Sequence, residues 1–179
     1  MKKTYLQYIG LGLVLLLILG VSVYCFKKMS GSESASATTT LHIAFHKEDS
    51  LTCTVTEDVK RVIPHSTDVA DSALHELFKG PTEKEIRDGL SSTFEPSFAL
   101  ATIFLEKEAR PLGTYYRGVS IENDIATVDF TSEALSYLNG PACLQAAVKF
   151  PIIETLLNIP SIKYVEFSID GKIYTEWDA

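Results

Sequence analysis

SALHELFKGPTEKEIRDGL, residues Ser72 to Leu90, decides how the chain is read. Ala73, Leu74, Leu77 and Phe78 recur at helical spacing, so one stripe of a short helix is apolar, while His75, Glu76 and Lys79 face away. Gly80 supplies the left-handed terminator and Pro81 forbids continuation. Thr82 and Glu85 have the spacing of a capping box, which starts a second short helix that Gly89 closes. Nothing in this stretch is placed to attack, protonate or ligate. It is punctuation, and it predicts a helix, a sharp stop and a capped turn.

Working outward on the N-terminal side, Asp68 and Asp71 stand at an N-cap and its third position. His65, Ser66 and Asp68 superficially supply a hydrolytic trio, but near-adjacent residues cannot form the spatial relay, and capping is the plainer role. Leu41 to Phe45 alternates with Leu41, Ile43 and Phe45 on one face, a first strand. His42 and His46 would share the other face about 13 Å apart, too far for one metal ion. Leu51–Val55 and Val59–Ile63 are β-rich, and Pro64 ends them.

On the C-terminal side, Phe98 to Leu105 is β-compatible and Glu106 to Gly113 reads as a surface loop. Tyr115 and Tyr116 follow, either covering a sheet edge or, with Trp177, forming an aromatic surface for a partner. Val119–Ile121 and Ala126–Phe130 alternate around Asn123-Asp124, a tight hairpin whose Asp129 points away from Val128 and Phe130 towards solvent. Ala142 to Ile159 is a second long helix, with Leu144, Ala147, Val148, Ile152, Leu156 and Ile159 as its stripe. Pro151 inside it removes a backbone donor and predicts a kink or a break. Tyr164 to Ile169 is a strand, and Asp170-Gly171 turns it into Lys172–Tyr174.

From Thr4 to Phe26 no residue is charged, and at about 1.5 Å per residue this stretch spans a hydrocarbon layer of about 30 Å. It predicts a transmembrane helix at 4–26 within an anchor at 1–28, with the amino terminus inside. A cleaved signal peptide is the alternative, although its apolar run is usually about 7 to 15 residues. Residues 29–40, rich in Ser and Thr, read as a flexible tether to a folded domain at 41–179. Setting aside Lys2, Lys3, Lys27 and Lys28 leaves 12 basic residues against 23 acidic ones, a net of −11. Such a domain repels phosphate backbones and argues against nucleic acid as a partner. Cys53 and Cys143 are the domain's only cysteines. In an oxidising compartment they pair, closing a loop of about 90 residues for a stabilisation of about 4 kcal/mol on the chain-entropy account; the other reading is two buried thiols.

Leu77-x-x-Gly80-Pro81-Thr82, then Ala126-x-Val128-Asp129-Phe130, then Phe167-x-Ile169-Asp170-Gly171 occur in this order. The combination resembles the GerMN domain, the sporulation and spore germination domain of GerM-type envelope proteins, over about Leu41 to Lys172. The resemblance implies an α+β domain, a βαββαβ-like small sheet with two helices packed on one face. It also implies an extracytoplasmic, non-enzymatic module on a single-pass membrane anchor, with no cofactor or metal. Such a module would contact envelope proteins and is compatible with self-assembly. One copy of the domain is present where GerM-type proteins carry up to two, the loop from Glu106 to Gly118 is extended, and Pro151 interrupts the second helix. The other reading of the chain is a module that binds a wall fragment or small molecule on Tyr115, Tyr116 and Trp177.

Gly80→Val puts a β-branched side chain where a left-handed cap is required, and thermal melting should show a loss of more than about 1 kcal/mol. An unchanged melting temperature would place the cap elsewhere.

Overall fold

The computed structural model describes residues 37–47, 53–96 and 110–175. Residues 38–179 form one compact unit, separate from 1–37. The stretch read as a transmembrane helix, the strand read at 98–105 and Trp177 lie outside the described residues. Among the described residues no helix is long and apolar enough to cross a membrane.

The chain runs β1 (Thr38–Lys47), β2 (Thr56–Pro64), α1 (Val69–Phe78), α2 (Glu83–Arg87), β3 (Leu90–Ser91), β4 (Tyr116–Glu122) and β5 (Ile125–Phe130). It continues through α3 (Leu135–Leu138), α4 (Ala142–Leu157), β6 (Tyr164–Ile169) and β7 (Lys172–Ile173). β1 begins at Thr38, because Thr38, Thr39 and Thr40 pair with Pro64, Ile63 and Val62. Thr38, Thr39 and Thr40, which the sequence reading placed in the tether, therefore belong to β1.

The class is mixed α+β, but the single small sheet expected from the sequence is two sheets, one ordered β2-β1-β3 and the other β4-β5-β6-β7. The reason lies on β1. Beyond its short pairing with β3, its free edge meets a helix instead of a strand, and the Ala44 N–H donates to the Thr155 hydroxyl of α4 at 2.9 Å. A side chain ends the ladder there, so the second sheet forms independently around the parallel pair β5–β6. Both sheets feed one core, in which Ile43 and Phe45 meet Leu74, Leu77, Val128, Phe130, Ile152 and Leu156.

α4 continues as a helix through Pro151, where the sequence predicts a kink or break. Proline has no N–H to give the carbonyl four residues back, which is that of Ala147. The buried Thr93 hydroxyl donates to that carbonyl at 2.9 Å and replaces the missing bond. Gln145, Pro151 and Thr155 join Ala147, Val148, Ile152 and Leu156 on the buried face, while Leu144 and Ile159 are only half-buried.

The stretch from Ser72 to Leu90 folds as its pattern indicates. Asp68 caps α1 by accepting from the Asp71 N–H, and Gly80 follows with a φ of 78°. Thr82 and Glu85 close a reciprocal capping box on α2. The sequence did not indicate what this corner encloses. Arg61 of β2 lies among its carbonyls: it donates to the Glu76 carbonyl at 3.1 Å, the Gly80 carbonyl at 3.0 Å and the Glu85 carboxylate at 2.8 Å. Its guanidinium also stands 5.1 Å from the centre of the Phe45 ring. Arg61 is largely buried, so these partners offset the cost of removing its charge from water.

Lys79 and Arg61 together hold the Glu76 carboxyl below its ordinary range, against its burial. Burial alone would raise that of Glu85, but the Thr82 amide and Arg61 outweigh it and lower it.

Two outcomes follow from these surrogates and pairs. Thr93→Val should leave the Ala147 carbonyl unsatisfied and cost about 1–3 kcal/mol in denaturant unfolding. In a Pro151→Ala background, which restores the helical donor, the same change should cost much less; equal costs in both backgrounds would contradict the pairing. Depressed carboxyl values contribute stability above the unfolded carboxylate range and lose it as pH falls. The parent should therefore weaken below about pH 4.5. Arg61→Met should lose about 3 kcal/mol at neutral pH and show a shallower acid limb in pH-dependent melting.

Candidate functional site

The residues singled out in the sequence gather in three places. Leu77, Gly80, Pro81 and Thr82 belong to the Arg61 corner, where their role is to turn the chain and cap it. Cys53 and Cys143 form a disulfide with their Cα atoms 5.3 Å apart. It fastens the turn before β2 to the first turn of α4. Asp129, Asp170 and Gly171 meet on the outer face of the four-stranded sheet.

That face follows from strand alternation. Val128 and Phe130 of β5 stand beside Phe167 and Ile169 of β6 on the core side. Thr127, Asp129 and Ser168 therefore point the other way. Asp129 does not simply face solvent, as its position in the strand suggests. Its carboxylate accepts from the Ser168 hydroxyl at 2.6 Å and from the Gly171 N–H at 2.8 Å, with Arg117 Nε at 3.4 Å. Arg117 also reaches Asp170 at 3.4 Å. Asp170 and Gly171 have φ values of 50° and 77°, the backbone of a tight two-residue hairpin turn, and Asp129 pins that turn from the neighbouring strand. Asn123 and Asp124 make the equivalent turn between β4 and β5.

Above this cluster lies an open hollow of about 360 Å³, lined by Arg117, Ser120, Thr127, Asp129, Ser168 and Ile173 among others. Chemically it offers hydroxyls and a paired guanidinium. The carboxylate is engaged by three donors, so it acts as a staple and not as a base. Ser168 gives its proton directly to a carboxylate, with no imidazole between them to act as a relay.

Tyr115 and Tyr116, read either as covering a sheet edge or as part of a partner surface, are both half-buried. Tyr116 packs its ring on Phe78 and Phe130 and donates to Asp71 at 2.7 Å. Burial raises its phenol above the ordinary range, and the Asp71 carboxylate raises it further. Tyr115 lies beside Tyr137, and its hydroxyl accepts from the Arg110 N–H at 3.2 Å. His65, Ser66 and Asp68 form a local capping network, in which Ser66 accepts from the Asp68 N–H and the His65 ring lies 3.4 Å from Thr39. Among the described residues no group of three or more His, Cys, Asp or Glu side chains is placed to hold a metal ion.

Sequence reading missed Arg61, Thr93, Arg117 and Thr155. For Arg61 the signal was present: it shares the strand face of Val59 and Ile63, so alternation turns a cation towards the core. Thr93 and Thr155 offered none, because their partners lie far away in the chain, whereas Arg117 precedes Gly118, the residue paired with Asp129 across the β4–β5 hairpin.

The family model described as Germane: Sporulation and spore germination matches residues 45–175. Among solved structures, the chain is similar to the tandem GerMN domains of the sporulation protein GerM from Bacillus subtilis. The identity is 21% over 79% of this chain and 42% of that one, with a TM-score of 0.50. It is also similar to the first GerMN domain of that protein, at 16% identity over 79% of this chain and 90% of the other, with a TM-score of 0.52. The chain thus spans less than half of the tandem structure and most of the single domain. At these identities the likeness is one of fold. No curated protein sequence matches the chain. The family match covers most of the chain and includes all three residue groups described above, and the chain belongs to the Germane family, the family of the GerMN domain.

Proposed function

We propose that this chain is a membrane-anchored, extracytoplasmic module that performs no reaction and works through protein contacts in a cell-envelope assembly of sporulation or germination. The observation that carries the reading is the family match across residues 45–175. It follows an uncharged stretch from Thr4 to Phe26 long enough to span a bilayer. The family supplies the biological setting, and the stretch supplies a means of holding the domain at a membrane. The hydrogen-bonded polar clusters around Asp129 and Arg61 fit a rigid docking body. Asp129 and Arg61 are committed to holding turns, which makes surfaces stiff and costs little order on binding. The disulfide fits the same setting, since such bonds persist in oxidising compartments.

Tyr115 and Tyr116, two of the three aromatics on which a wall-fragment site would rest, are half-buried against the core, which favours the contact reading.

The test uses the full chain in sporulating cells. It should resist alkaline extraction from membranes, and protease added to protoplasts should digest its folded part. Crosslinking in intact cells should capture other envelope proteins. A chain protected from external protease, or one that captures no envelope protein, would overturn the proposal.

A further inference from the structure

β2 is an edge strand, and its outer backbone has a definite pattern. The Lys47 N–H donates to the Val55 carbonyl at 3.0 Å, which makes Lys47 and Val55 a hydrogen-bonded pair in the β1–β2 ladder. The register then directs the backbone groups of Val55, Glu57, Val59 and Arg61 towards β1. Those of Thr56, Asp58, Lys60 and Val62 point outward. The Ala44 bond to Thr155 confirms this parity, because Ala44 lies opposite Asp58 and also turns away from its partner strand. Among the described residues no strand lies on that side of β2.

Asp58, Lys60 and Val62 have exposed side chains and Thr56 is half-buried, Val62 at 66% being the most exposed large apolar residue described. They also form a charge palindrome about Val59, acid on one side and base on the other.

We propose that the outer edge of β2 pairs antiparallel with the same edge of a second copy of this chain, about a two-fold axis through Val59. In that register each Asp58 faces Lys60 of the other copy, and each Thr56 faces Val62. All of these are outward residues, so each pair exchanges both backbone bonds. Moving the two-fold axis by one residue, a relative slide of two residues, places Asp58 against Asp58 or Lys60 against Lys60, and like charges directly opposite are destabilising. A slide of one residue sets outward backbone groups against inward ones and breaks the ladder. An exposed Lys normally guards an edge against stray strands. In the proposed register it is met by Asp58 of the other copy. The contact is self-complementary, as a two-fold interface requires. It goes beyond the envelope reading and does not depend on it.

Sedimentation equilibrium of the full chain in detergent tests this, with Cys25→Ser to exclude a covalent link. The parent should dimerise, less tightly as salt rises. Asp58→Lys and Lys60→Asp should each weaken the dimer about tenfold. The doubly swapped chain D58K/K60D should recover parental association, and a mixture of the two single variants should form mixed dimers. Asn158→Ala removes the hydrogen bond from Asn158 to Asp58 and should leave association unchanged. A parent that stays monomeric at its highest soluble concentration would overturn the proposal, even if the domain captures another protein. A dimer indifferent to both reversals, or one that the double swap fails to restore, would overturn it too.

Discussion

The fold depends on enclosing one cation. Arg61 leaves β2 on the core side, and a guanidinium there must be surrounded by acceptors or expelled. The helix stop at Gly80 provides them, because the end of a helix leaves carbonyls without amide partners. Arg61 takes the carbonyls of Glu76 and Gly80, and the Glu85 carboxylate closes the set while also capping α2. A single residue thereby joins the first sheet to both short helices. The Leu-x-x-Gly-Pro-Thr sequence follows from this constraint. Leu77 anchors the helix in the core, Gly80 permits the backbone turn, Pro81 prevents continuation and Thr82 starts the next cap.

The same requirement recurs wherever regular structure ends. Thr155 takes the Ala44 amide at the open edge of β1, and Thr93 supplies the donor that Pro151 lacks. Asp129 takes the Gly171 amide at the β6–β7 turn. In each case a short polar side chain replaces a backbone partner, and two of the three contacts are buried. Buried amides and carbonyls without partners cost more than an average hydrogen bond contributes, so these contacts set where sheets and helices stop. They explain why there are two sheets over a common core, and why α4 tolerates a proline.

For the proposed contact role, what matters is which surfaces are left to offer. Tyr115 and Tyr116 pack partly into the core, and the outer face of the second sheet carries hydroxyls and stapled charges. The first sheet leaves β2 with outward amides and carbonyls and a self-complementary pair of charges. In the proposed dimer specificity comes from the like-charge clash of the two neighbouring in-phase registers as much as from the pairing of one.

Much of this was legible in the chain. Local signals carried the α1 stop, both caps, the β4–β5 and β6–β7 turns and the alternation of β1, β5 and β6, since each depends on a few neighbouring residues. The disulfide was one of two open readings, because pairing depends on compartment as well as on composition. The motif residues were found, but Asp129 was given to solvent, because its donors Ser168 and Gly171 come from a strand and a turn about 40 residues on. The second sheet, the partners of Arg61 and the Thr93 repair of α4 were decided only by tertiary structure. Each is a bond between groups far apart in sequence, and periodicity and propensity carry no information about where a distant side chain will arrive. The sequence by itself determined most of the longer elements, the caps of α1 and α2 and an acidic composition with two domain cysteines available to pair. Tertiary structure decided how the sheets divide and which polar groups are consumed in holding them, and so which edge remains open to a partner.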